Sequence, residues 1–231
     1  MTDEIDRSAE RLRFLIDEAH DTGTDCQAID ELGNFRVGAA VAALVDLLDH
    51  PEGLHRYAAR GSLLRIRDSM GALWLDGSLT IIRHNAKTHG DRRTRLNALN
   101  AMVDCTPVKM FSDRLVEELV GSDEEDVIFA VGLAARVPNK YIATRLCWIV
   151  DLDDSRSEGM KMAAAESLAV AVRDMDTDSL GKLMRVVGGT TGRLLGRHET
   201  ADGFDHLLSR FAKVHRSIAE RLDDIANGID S

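Results

Sequence analysis

Five bases crowd into residues 83–95, namely Arg83, Lys87, Arg92, Arg93 and Arg95, against the single acid Asp91. The segment carries +4 and the rest of the chain carries −14, within a formal net charge of −10. Guanidinium groups at this density suit phosphate oxygens or the carboxylates of an acidic protein surface, which they grip through paired N–H donors. The apolar periodicity predicts that the segment spans an inter-helix loop and the first turn of the next helix. Three arginines there oppose the helix dipole, a cost that points to a use for the charge. An acidic chain repels polyanions and anionic membrane surfaces, so any such contact is local.

The other groupings that could do chemistry fail on spacing or context. His198, Asp202 and His206 are zinc-type ligands four residues apart, but Gly203 interrupts the helix that would align them, and no metal is expected. Asp174, Asp176 and Asp178 open like a calcium loop. Ser179 stands where that loop needs glycine and Arg185 where it needs glutamate, so they are read as turn and cap residues. Gly188-Gly-Thr-Thr-Gly-Arg193 shares only its glycine content with a phosphate loop and is read as a flexible inter-helix turn. Cys26, Cys105 and Cys147 are odd in number and far apart, in helical apolar contexts that suit inert buried thiols and a reducing cytoplasm. No Ser, His, Asp set assembles by spacing. The expectation is therefore no catalytic residue and no cofactor, in a cytoplasmic protein without a leader or a membrane span.

The elements that must position these residues are helical. Apolar residues recur three and four apart, as in Leu44, Leu47, Leu48 and Leu115, Leu119, Val120, and sustained alternation is missing, so the chain is read as all-α. Aromatics make up only 4% of residues, which leaves the core to aliphatic side chains and suits close helix packing. Pro51, Pro107 and Pro138 fall in predicted turns. Thr24 with Gln27, Ser122 with Glu125 and Ser155 with Glu158 have the spacing of capping boxes. Asp123, Glu124, Glu125, Asp126 and the trio Asp151, Asp153, Asp154 then read as first-turn or turn carboxylates.

A repeat runs through this pattern. Ala28, Ala59, Ala98, Ala130 and Ala164, each followed at a helical interval by a small or apolar residue, lie 31, 39, 32 and 34 residues apart. Between them lie second helices ending at Leu48, Ile82, Val120, Val150 and Val187, giving about five helix pairs over residues 25–190 of a single domain, 1–231. One pair cannot bury its own apolar stripe, so pairs must stack, with alanine letting backbones approach. Ala59→Leu or Ala98→Phe should then cost roughly 1 to 3 kcal/mol by overpacking, read as a lowered melting temperature. Residues 1–22 are expected to form a cap helix with Ile5, Leu12, Leu15, Ile16 and Ala19 facing inward. Residues 203–229 form a long helix whose heptad seam, Phe204, Leu208, Phe211, His215, Ile218, Leu222, Ile225 and Ile229, suits a cap or a homodimer; Leu207 and Val214 widen the stripe toward capping.

Residues 28–66, from Ala28-Ile-Asp-Glu-Leu-Gly through Leu63-Leu-Arg-Ile66, resemble the short HEAT repeat of the type also found in phycobilisome lyases. A basic residue three before the small one belongs to that pattern. Arg56, Arg95 and Lys161 fit it, and Val127 departs. The resemblance implies a right-handed α-α superhelix, a HEAT-like solenoid with atypical terminal helices, whose concave face is built from the second helix of each pair. It places Arg56, Arg60 and Arg95 on or near those helices. With Lys87, Arg92 and Arg93 they make the expected contact patch of a non-catalytic scaffold that binds another protein, with nucleic acid as the rival ligand. Among HEAT-like enzymes, hydroxylases carry several His-Glu pairs, of which only His198-Glu199 occurs here. Alkylpurine DNA glycosylases set a tryptophan and an aspartate one turn apart, which Trp148 and Asp151 echo; Trp148 is read as core.

Overall fold

The computed structural model describes residues 2–20, 26–151, 156–198 and 205–227. Among them are twelve α-helices, two 3₁₀ turns and no strand. The helices are α1 (Thr2–Ala19), α2 (Gln27–Leu32), α3 (Gly38–Asp46), α4 (Gly53–Met70), α5 (Ala72–His89), α6 (Arg92–Cys105), α7 (Val108–Leu119), α8 (Glu124–Ala134), α9 (Lys140–Asp151), α10 (Glu158–Ala171), α11 (Thr177–His198) and α12 (Asp205–Ala226). The chain gathers into two compact units, Met1–Phe111 and Ser112–Ser231. No described helix is long and apolar enough to cross a membrane.

Local chemistry explains where the helices stop. Pro51, Pro107 and Pro138 all lie between helices, where the missing N–H breaks no bond. A single residue, Gly71, joins α4 to α5 at φ +92°, and Gly90 closes α5 at φ +73°, a left-handed cap that favours glycine. Two predicted caps move. Asp123 rather than Ser122 caps α8, accepting from the amides of Glu125 (3.0 Å) and Asp126 (3.1 Å). Ser157 caps α10, accepting from the Met160 amide at 3.3 Å; Thr24 and Ser155 lie outside the described residues. Asp176 takes the Ser179 amide at 2.8 Å at the start of α11, the cap role expected of it.

In the first unit α2 packs on α4 and α4 on α6, while α1 packs on α3 and α3 on α5. Arg11 of α1 forks onto Glu31 of α2 at 3.0 and 2.6 Å. In the second unit α8 packs on α10 and α10 on α12, while α9 packs on α11. The alanine signature is the contact surface of this packing. Ala28 is 4% exposed, and Ala59, Ala98, Ala130 and Ala164 are wholly buried. Leu44, Leu63, Ile66, Leu99 and Met102 fill the first core, and Leu146, Ile149, Leu168, Val187 and Phe211 the second.

Gly33 shows how close the backbones come. A Cβ built there falls 2.9 Å from Ser62 Cβ and 3.1 Å from Ser62 Cα on α4. Gly77, exposed in the interior of α5, would carry a Cβ with nothing within 4 Å. The same substitution therefore has opposite signs. Gly33→Ala is expected to lower stability by roughly 1 to 3 kcal/mol, and Gly77→Ala to raise it by about 0.5 to 1 kcal/mol through helix propensity. Urea melts of the two variants check this.

Two helices run further than the sequence pattern indicates. α5 continues past Ile82 to His89, so Arg83 and Lys87 ride on a helix and the loop shrinks to Gly90 and Asp91. α11 runs unbroken through Gly188–Arg193, which is not a turn. Its buried stripe, Leu180, Leu183, Val187, Thr190 and Leu194, packs toward α9 and α12 and outweighs the weak helix propensity of the glycines. α12 lays Phe211, Val214 and Ile218 against α10 and α11 of its own chain, with His215, Leu222 and Ile225 half-buried. Phe204 and Ile229 lie outside the described residues, as does the side chain of Leu208.

Candidate functional site

The structure distributes the six bases of the expected patch over three helices. Arg56 and Arg60 lie on α4, Arg92, Arg93 and Arg95 on α6 and Lys87 on α5. Arg83 is buried on α5. Much of the charge is answered internally. Arg56 Nη1 donates to the carbonyls of His50 (2.6 Å) and Pro51 (2.9 Å). Arg60 Nε stands 3.2 Å from Asp104, and Arg93 holds Asp49 through both its carboxylate (2.5 Å) and its carbonyl (3.0 Å). The first-turn arginines of α6 are offset by the capping Asp91, whose carboxyl is held below its ordinary range by hydrogen bonds from the Thr94 side chain and amide.

The second unit carries its own exposed aromatic and basic side chains. α7 and α9 bound a cleft of about 440 Å³ lined by Ser112, Asp113, Val116, Tyr141, Thr144, Arg145 and Trp148. Asn139 starts α9 by accepting the Tyr141 amide at 2.9 Å. From that start Ile142, Ala143, Leu146, Cys147, Ile149 and Val150 turn inward, leaving positions 141, 144, 145 and 148 along the outer stripe. Tyr141 is 69% exposed. Trp148 is half-buried and not core, correcting the sequence reading. The Arg145 guanidinium carbon lies 3.7 Å from the Trp148 ring centroid, and Lys140 Nζ lies 5.3 Å from that of Tyr141. These are cation–π distances, and they fix both aromatic rings and both cations on one helix face.

Asp151, one turn beyond Trp148, is buried to 1% exposure, not a surface turn carboxylate. Arg193 Nε of α11 donates to its Oδ2, and Thr190 Oγ1 reaches the same oxygen at 3.5 Å. This carboxylate ties α9 to α11, and it is not among the residues lining the cleft. Cys105 and Cys147 are buried thiols, each pushed up to about 12 by burial, so neither supplies a thiolate near neutrality. Cys26 is half-exposed at the start of α2, a departure from the buried reading. Asp202 and the side chains of His198 and His206 lie outside the described residues. Among the described residues no group of three His, Cys, Asp or Glu side chains gathers to hold a metal.

Sequence reasoning overlooked Tyr141 and Arg145. The signal available was an aromatic, a base and a second aromatic at steps of four and three on α9. Compared with known proteins, the chain matches no family model and no curated protein.

Proposed function

We propose that the protein is a non-catalytic binding protein of the HEAT-like repeat kind that takes a segment of another protein in the α7–α9 cleft. The observation that carries this reading is the Arg145–Trp148 stack beside an exposed Tyr141 in one concave groove. Tryptophan, tyrosine and arginine are the side chains that dominate binding energy at protein interfaces, and stacking makes both rings and bases rigid, so little entropy is lost when they dock. A cleft of about 440 Å³ accepts one or two side chains of a partner rather than a whole domain. The repeat reading is supported by the packing of α1 on α3, α2 on α4, α3 on α5 and α4 on α6 in the first unit and of α8 on α10, α9 on α11 and α10 on α12 in the second, with the alanine signature at these contacts. A scaffold role replaces the basic segment by this groove as contact site, because Arg56, Arg60 and Arg93 are already held by groups of the chain itself.

A photo-crosslinking residue placed at Thr144, which lines the cleft, tests the proposal, with the same residue at exposed Glu166 of α10 as control. The expected result is a discrete protein adduct from position 144 alone. Equal adducts from both positions, or none from 144, would remove the cleft as a contact site. Retardation of nucleic acid in a gel shift, weakening steeply with salt, would instead favour the rival ligand.

A further inference from the structure

We infer that His50, stacked on His55, is an acid-sensitive latch, which holds the α3–α4 turn closed while its ring is neutral and releases it on protonation. This inference does not depend on the α7–α9 cleft. His50 follows the 3₁₀ turn Leu47–Asp49, and His55 lies in the first turn of α4. The ring centroids are 4.3 Å apart with 22° between planes, and the residues are only 7% and 2% exposed. Two rings so placed and so little exposed cannot both carry charge without repulsion between them.

The hydrogen bonds set the protonation state that the closed turn needs. The Glu52 amide donates to His50 Nδ1 at 3.2 Å, so that nitrogen must be bare. A proton there turns the acceptor into a donor facing a donor. Arg56 pins the same turn by donating to the carbonyls of His50 and Pro51. Glu52 Oε2 comes within 3.1 Å of His55 Nδ1, yet neither nitrogen of His55 makes an aligned hydrogen bond. The positive end of the α4 dipole adds to the cost of charge at this place.

Glu52 is placed to relieve an imidazolium in this turn, whereas most other carboxylates nearby are already engaged by groups of the chain. Burial pushes His50 below its ordinary value, the charge of His55 adds to that, His20 and Arg56 act in the same direction, and Glu52 opposes them. Asp46 of α3 is bonded by Thr94, and Asp49 is held by Arg93 of α6, whose cap Asp91 is itself held by Thr94. On α2, Asp30 and Glu31 are gripped by Arg65 and Arg11. Asp104 of α6 faces Arg60, and on α5 Asp76 and Arg83 are both buried. For a base whose folded value is depressed, the stability of the closed turn is complete above the ordinary histidine value of about 6.5. It drains away as the pH falls from there toward the depressed folded value, below which the loss is complete.

Hydrogen exchange on the full chain, corrected for the intrinsic pH dependence of exchange, tests the latch. Between pH 7.5 and 5.5 the opening of amides in residues 50–60 should increase on the order of tenfold, while amides in residues 112–231 stay level. His50→Gln and His55→Leu should each flatten the response. A level profile at residues 50–60, a uniform rise along the chain, or an undiminished rise in both variants overturns the inference. Should the variants fail to fold, proton NMR titration of the wild-type imidazoles decides. His50 must then titrate below the ordinary histidine range with a curve distorted by His55, and an ordinary independent curve overturns the latch.

Discussion

Arg193→Ala lowers the stability of the protein by roughly 2 to 4 kcal/mol. The reason is the setting of Asp151. Its carboxylate is 1% exposed at the C-terminal end of α9, where the helix dipole already disfavours negative charge, and the Arg193 guanidinium is the cation that answers it. Arg193 is itself half-exposed, which lets water screen the pair and keeps the cost below that of a fully buried one. At this chain length each kcal/mol moves the melting temperature by roughly 2 to 4 °C. Adding Asp151→Asn to Arg193→Ala should recover part of the loss, since position 151 then carries no buried charge in want of a cation. A single variant that melts like the wild type would show that the clamp does not join α9 to α11.

Trp148→Ala should weaken capture of the partner protein by about 2 to 4 kcal/mol, the range of an interface hot spot and some 30- to 1000-fold in Kd. Its effect on folding should be small by comparison, because the indole is only half-buried. Tyr141→Ala acts in the same direction. Arg93→Glu, in a base already bound to Asp49, should leave the affinity near that of the wild type. Calorimetric titration of the crosslinked partner, once isolated, against the three variants gives the comparison. An Arg93 variant that loses binding while the Trp148 variant keeps it would return the contact to the basic segment.

The interior was the legible part of this sequence. The small residues Ala28, Ala59, Ala98, Ala130 and Ala164 recur at helical positions that pack closely on neighbouring helices, and all five are buried. Prolines and turn chemistry likewise marked the joints. Glycine misled where packing outweighs propensity. Gly188, Gly189 and Gly192 look like a turn, yet Val187, Thr190 and Leu194 beside them form a buried stripe that keeps α11 helical. Caps shifted by a residue or two because serine and aspartate compete for the same role, as Ser122 and Asp123 do.

The site was less legible for a different reason. A base on a helix reads the same whether it meets solvent, a partner or a carboxylate far along the chain. Arg93 finds Asp49 at a separation of 44 residues, and Arg193 finds Asp151 at 42. Those pairings, which spacing alone does not reveal, take charge from the patch that composition favoured and give Asp151 a structural task. Trp148 shows the converse. Its apolar neighbours on α9 made it look like core, while the register of the helix sets it on the rim of a cleft with Arg145 across its face.

Hydrogen-exchange footprinting of the protein with and without its captured partner tests the central claim most directly. Protection confined to residues 112–116 of α7 and 141–148 of α9 is the result expected of a partner seated in the cleft. Protection over residues 83–95 instead, with α7 and α9 exchanging as in the free protein, would contradict it.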